Sequence, residues 1–308
     1  MRPNELPPTA EVARAFLVPE ATMAKRLTRA KAKIAGAGIP YRVPSANLLP
    51  DRTDGVLAVL YLVFNEGYAA TGGPELIRSA LCEEAIRLAR LLTKLMRDEP
   101  EAAGLKALML FQHSRRAARV GVDGELVTLE DQERLLWDRT QIGEATAVLK
   151  AALRYRRPGP YQLQAAIAAC HAEAARAQDT DWRQILALYE LLLESVPSPV
   201  VRLNRAVAVA MADGLHAGLQ LVEQLASDGS LSDYHLLDAT RADLLRRRGE
   251  PQAAAAAYRR ALAAAPSEPE RRFLTRRLKQ VEPGQPSGGA DAHEAGITVM
   301  PPDTPGAS

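Results

Sequence analysis

The pattern that most constrains this chain is a run of spaced small residues between Tyr234 and Ser267: Ala242, Gly249, Ala254, Tyr258, Ala261 and Pro266. Small side chains at helical intervals let two helices touch along their length, and a large ring such as Tyr258 fills the groove between them. Gly249 marks a turn and Pro266 a stop. Matching offsets begin again at Pro199, with Ala206, Gly218 and Leu225 in the corresponding places. A partial third copy carries Tyr189, Leu192 and Pro197, with an insertion, Ala172–Asp181, in its loop. Such a unit predicts stacked helical hairpins, each burying its apolar face on the next.

The rest of the chain also reads as helix, and the fold class expected is all-α. Alanine and leucine abound while aromatic residues make up 5%, which favours helix over sheet. Val56 to Phe64 is apolar almost all round and predicts a helix buried on most sides. Asn65 and Glu66 interrupt that run. They read as a helix end capped by Gly67, or alternatively as groove residues for a peptide partner. Gly72-Gly73-Pro74 marks a turn, after which Ile77, Leu81, Ala85, Leu88, Leu92 and Leu95 make one stripe. Pro100 opens a helix holding Leu105, Leu108, Met109 and Phe111. Asp123-Gly124 signals a small hairpin, and Leu135, Leu136 and Trp137 open a further helix.

Pro and Gly crowd residues 37–50 (Gly38, Pro40, Pro44, Pro50), which makes a semi-rigid connector. From Pro283 the composition cannot bury enough apolar surface to offset ordering, so residues 282–308 are expected to be a disordered tail. The expected organisation is therefore an N-terminal unit at 1–36, a linker at 37–50, a helical domain at 51–158, the repeats at 159–281 and the tail.

The chemistry of an active site is not legible here. The five histidines (113, 171, 216, 235, 293) are scattered without metal-ligand spacing. No phosphate loop, nucleophile elbow or dinucleotide fingerprint occurs. Cys82 and Cys170 read as packed, reduced thiols. Asp123, Glu125, Glu130, Asp131 and Glu133 cluster without the spacing of a calcium loop; they read as a solvated loop or as partners of Arg115, Arg116 and Arg119. No catalytic residue, metal or cofactor is expected, and the chain should act by binding. With no apolar N-terminal run and no membrane-length apolar stretch, a cytoplasmic protein is expected.

Charge singles out the N-terminal unit. Residues 1–36 carry seven Lys or Arg and three Glu, a surplus of +4 in a chain of net charge +2. Any nucleic-acid affinity should lie there. Thr9 can cap a first helix, Glu11 suits its first turn, and Val12, Ala13 and Phe16 share a face. Pro19 suits the first position of a second helix. Met23, Leu27, Ala30 and Ile34 form its apolar stripe, away from Lys25, Arg26, Arg29, Lys31 and Lys33. This is the layout of a helix-turn-helix, whose second helix offers its N-terminal end to base edges and its cations to phosphates.

The order T-x-E-V-A-x-x-F-x-V-P-x-x-T-M-x-x-R-L-x-R-A-K resembles the end of region four of bacterial extracytoplasmic-function sigma factors, which reads the −35 promoter element. Further on, YLVFNEGYAA, LCEEAIRLARLL, DGELVTLEDQERLLWDR and RPGPYQLQAAIAACHAEA resemble the long C-terminal extension of one group of them. The resemblance runs from Thr9 to Val281. It implies a helical domain followed by tetratricopeptide-like repeats, whose units of roughly 34 residues match the hairpin spacing above. It also implies that promoter DNA and core RNA polymerase are partners, with a protein or peptide in the repeat groove. DNA contacts would fall on Glu20, Ala21, Thr22, Lys25, Arg26 and Arg29. Leu17 departs from the glycine many such turns carry. Region two and the first helices of region four have no counterpart before Thr9, so relative to the family the chain reads as truncated at its N-terminus. The alternative is a tetratricopeptide-type protein-binding scaffold with a vestigial DNA-binding segment.

Overall fold

A computed structural model describes residues 9–10, 13, 18–36, 50–70, 76–122 and 124–282. Among the described residues the chain is all-helical: α1 (Glu20–Gly36), α2 (Pro50–Tyr68), α3 (Ser79–Leu95), α4 (Pro100–His113), α5 (Arg139–Leu153), α6 (Pro160–Glu173), α7 (Trp182–Ser195), α8 (Pro199–Ala212), α9 (Leu215–Asp228), α10 (His235–Arg247), α11 (Pro251–Ala264) and α12 (Glu268–Val281). The connector at 37–49, the Gly72-Gly73-Pro74 turn, Asp123 and the tail from Pro283, with His293, lie outside them, as do Glu11, Val12, Phe16 and Leu17.

Local chemistry sets the helix starts. Proline occupies the first turn of α4, α6, α8 and α11, where its missing N–H costs nothing. Asp138 and Asp181 cap α5 and α7 by accepting from the Gln141 and Gln184 amides. Ser267 and Glu270 form a reciprocal capping box at α12.

From α2 onward each helix packs on its chain neighbour, and α4 is additionally gripped by α2 and α6. A first core gathers Leu57, Tyr61 and Phe64 of α2 with Leu105, Leu108 and Phe111 of α4 and Tyr161 of α6. A second core, from Val200 to Val281, holds the buried Ala206, Leu225, Ala242, Ala254, Tyr258 and Ala261. Between them Leu163 and Ile167 of α6 meet Ile185, Tyr189 and Leu192 of α7 and Val201 of α8. Helix α6 thus faces both cores, with Tyr161 and Ala165 toward one and Leu163 and Ile167 toward the other.

The structure corrects several local expectations. Val56 and Val59, in the run read as buried nearly all round, are 44% and 59% exposed; α2 opens one long face to solvent. The buried face of α3 is centred on Cys82, Ala85, Ile86 and Ala89, while Leu95, at the end of the expected stripe, is 74% exposed. Small residues let α3 approach its neighbours closely, which pushes the leucines to the flanks. Arg134–Leu136 is a single 3-10 turn rather than the start of α5; Leu135 and Leu136 point outward and Trp137 inward. The expected hairpin is one antiparallel bridge, Val120 with Leu126, turned by Gly124 at φ 71°.

Gly67 does not cap α2. It lies in the last turn, buried, and a Cβ there would stand 2.7 Å from the Cys82 amide nitrogen and 2.8 Å from its sulfur. The Gly67 carbonyl accepts from the Arg78 amide at 2.7 Å, and the neighbouring Glu66 pairs with Arg78 at 2.8 Å. Its role is close approach of α2 and α3. Gly67→Ala should therefore destabilise the chain by about 1–3 kcal/mol, the usual cost of overpacking, read as a lowered urea midpoint. An unchanged midpoint would place the restriction elsewhere.

Candidate nucleic-acid interface

Helix α1 begins directly after Pro19. The Val18 amide donates to the Ala13 carbonyl at 3.0 Å, closing the preceding turn, and the Thr22 and Met23 amides donate to the Pro19 carbonyl at 2.9 and 3.1 Å. Ala13 and Met23 are buried on one side of this arrangement. On the other, Glu20, Ala21, Lys25, Arg26 and Arg29 are exposed and Thr22 is half-buried. All six residues singled out for DNA contact thus fall in the first three turns of one helix, off the Met23 side. Glu20 sits in the first turn, where the helix dipole favours a carboxylate, and Lys33 in the last.

Lys25, Arg26 and Arg29 make no ion pair among the described residues. Some cations elsewhere are paired, as where Arg90 and Lys106 share Glu144, Arg241 pairs with Glu223, and Arg260 with Asp238, while Arg154, Arg156 and Arg157 after α5 are exposed like those of α1. A row of unspent cations on one exposed helical face can neutralise phosphates at low desolvation cost.

A second charged arrangement was not legible in the sequence. The acidic loop between Arg119 and Arg134 reaches the far end of the chain. Glu130 pairs with Arg247 of α10 at 2.6 Å, Asp131 with Arg277 of α12 at 3.2 Å, and Glu125 with Arg276 of α12. The expected partners do other things. Arg119 is buried with its guanidinium 3.5 Å above the Tyr68 ring and donates to the Tyr68 carbonyl. Arg115 donates to the Tyr68 hydroxyl at 2.8 Å, and Arg116 pairs with Asp138 at 3.6 Å. Aromatic faces hold buried guanidinium groups well, which leaves the carboxylates to the distal arginines. Partners 117 to 151 residues away give no local signal. A small cavity of about 50 Å³ lies at the same seam, lined by Leu76, Leu126, Tyr258 and Phe273 with Arg119 and His235.

Among the described residues no group of three or more His, Cys, Asp or Glu is placed to hold a metal ion. His171 is buried against Trp182, and burial together with Arg115 and Arg134 pushes its pKa down to about 3. Both cysteines are free thiols, Cys82 fully buried and Cys170 partly so; burial raises both above the usual thiol range, which makes them poor nucleophiles. No described helix is long and apolar enough to cross a membrane.

Residues 52–153, spanning α2 to α5 and the acidic loop, match DUF6596, a family of unknown function. An uncharacterized protein of Rhizobium meliloti (strain 1021) is 50% identical over 268 residues, 87% of this chain and 63% of that protein. The chain therefore spans less than two thirds of that relative's length. No solved structure matches the chain.

Proposed function

We propose that this chain acts in transcription initiation as a sigma-factor-type protein, reading −35 promoter DNA through residues 9–36 while its helical extension regulates that reading or contacts core RNA polymerase. The observation that carries the reading is the exposed face of α1: Lys25, Arg26 and Arg29 stand unpaired among the described residues, one to three turns from a tight Val18–Pro19 entry, with Met23 and Ala13 buried behind them. This is the disposition a helix-turn-helix needs to lay its second helix in a major groove. The protein works by binding, without catalysis, in the cytoplasm.

Arg26 is the residue to test. In a duplex bound by the chain, Arg26→Ala should weaken binding by about 1–3 kcal/mol if the guanidinium reads a base edge, and flatten the salt dependence if it holds a phosphate. Unchanged affinity and salt slope would remove Arg26 from the interface.

A protein-binding scaffold is the second reading, favoured by the hairpins α8/α9 and α10/α11, whose small buried residues match the tetratricopeptide pattern. Such arrays take extended peptides along their inner face. On this reading the N-terminal helices would be dispensable for partner binding.

A further inference from the structure

The arginines at the seam are held by the chain's own acidic loop, yet incompletely. Arg277 is buried, with a side chain only 6% exposed. It reaches Asp131 through one terminal nitrogen and Gln280 through the other, and its Nε has no partner although it is buried. Arg276 reaches Glu125 through a single terminal nitrogen, and its Nε too is buried without a partner. A guanidinium is a planar fork that matches a carboxylate with two parallel donors. The resident loop gives each of these forks one contact, and leaves two buried donors unmet at a real cost.

The loop meets α10 and α12 through its side chains. For the described residues from Val120 to Asp131 the backbone hydrogen bonds stay within the loop: Gly121 amide to Glu125 carbonyl at 2.9 Å, Val127 amide to Arg119 carbonyl at 2.9 Å, and Asp131 amide to Thr128 carbonyl at 3.0 Å. Gln132 donates to the Val127 carbonyl, again within the loop. Lifting the loop from α10 and α12 breaks side-chain contacts and no ladder. In each pair the loop carboxylate keeps some contact with water, its side chain 20–32% exposed.

We propose that the face of α10 and α12 carrying Arg247, Arg276 and Arg277 is a docking surface for an acidic peptide segment of a partner protein, and that the loop from Arg119 to Arg134 is its resident occupant. The partner segment presents carboxylates with spacing like that of Glu125, Glu130 and Asp131, and a geometry that fills both arginine forks. Docking displaces the loop from α10 and α12, while the packing of α6 on α7 and α8 stays in place. The surface is independent of the DNA-binding reading, and its test uses no DNA.

The probe is a fluorescein-labelled synthetic peptide spanning residues 119–134, titrated into the full chain and followed by anisotropy. The chain with Glu125→Gln, Glu130→Gln and Asp131→Asn, whose loop no longer competes, should bind it at least tenfold more tightly than the unaltered chain. Adding Arg247→Gln and Arg277→Gln should remove that binding. Equal affinity for the two loop forms, or binding indifferent to the arginine changes, would overturn the proposal. Should the loop variant lose its helical circular dichroism, the unaltered chain decides. It should bind the acidic probe weakly and measurably, and not bind a probe in which the same three carboxylates are amides. Equal binding of the two probes, or none of either, would count against the surface.

Discussion

Gly218→Val should lower the stability of this chain by about 3 kcal/mol or more, at the severe end of overpacking. Gly218 sits in the first turn of α9 where it crosses α8. A Cβ there would stand 2.3 Å from the Ala210 Cβ and 2.7 Å from the Ala206 carbonyl oxygen. Both neighbours belong to α8 and are buried, so neither can swing aside as a flexible side-chain end could. Valine must force the two helices apart, and the separation spreads into the core from Val200 to Val281. Gly143→Ala is the matched control. Gly143 lies within α5, exposed, and an added methyl group there would meet nothing within 4 Å; alanine should be neutral or stabilise by up to about 1 kcal/mol through helix propensity. Urea unfolding of the two variants separates packing from propensity. Similar midpoints for both would mean that the α8/α9 crossing is not tight.

Acidification should destabilise the fold well above the carboxylate range, through His171. Burial, reinforced by Arg115 and Arg134, holds its folded-state pKa at about 3 against 6.5 for the free side chain. Burial shifts His113 in the same direction. As pH falls through 6.5 the unfolded chain takes up a proton that the folded chain refuses, so stability is complete above that pH and drains away below it. At 1.36 kcal/mol per unit, the His171 contribution lost between pH 6.5 and 4.5 is about 2–3 kcal/mol. His171→Gln, polar but without a titrating ring, should flatten that part of the pH–stability curve. The Arg134 bond to the residue-171 carbonyl, 2.6 Å in the structure, would remain. An unaltered slope in the variant would show that His171 is not held neutral by the fold.

Much of this fold was legible because helical hairpins are local. Ala206, Ala242, Ala254, Tyr258 and Ala261, chosen from spacing alone, are all buried, since a helix pair buries what its own period places between the pair. Hydrophobicity misled where the question was which side of a helix faces the core. Leu95 and Val59 are more apolar than Cys82 or Ala85, yet they lie outside, because close approach of α2, α3 and α4 selects small residues for the interior. Gly67 looked like a punctuation mark and serves as a contact; only the position of Cys82 distinguishes the two. For the candidate site, the exposed row on α1 follows from periodicity and was readable. The seam was not: nothing near Glu130 announces Arg247, since tertiary closure alone brings them together.

One measurement bears directly on the proposal that the exposed cations of α1 read DNA. The full chain is used to select duplexes from a randomised library, and the enriched duplex is then titrated at several salt concentrations. A sigma-type reader should enrich one short motif, bind it with an affinity that falls steeply as salt rises, and lose that preference when Arg26 and Arg29 become alanine. No enrichment, or binding that Arg26→Ala with Arg29→Ala leaves unchanged, would contradict the claim and leave the helical array as a protein-binding scaffold.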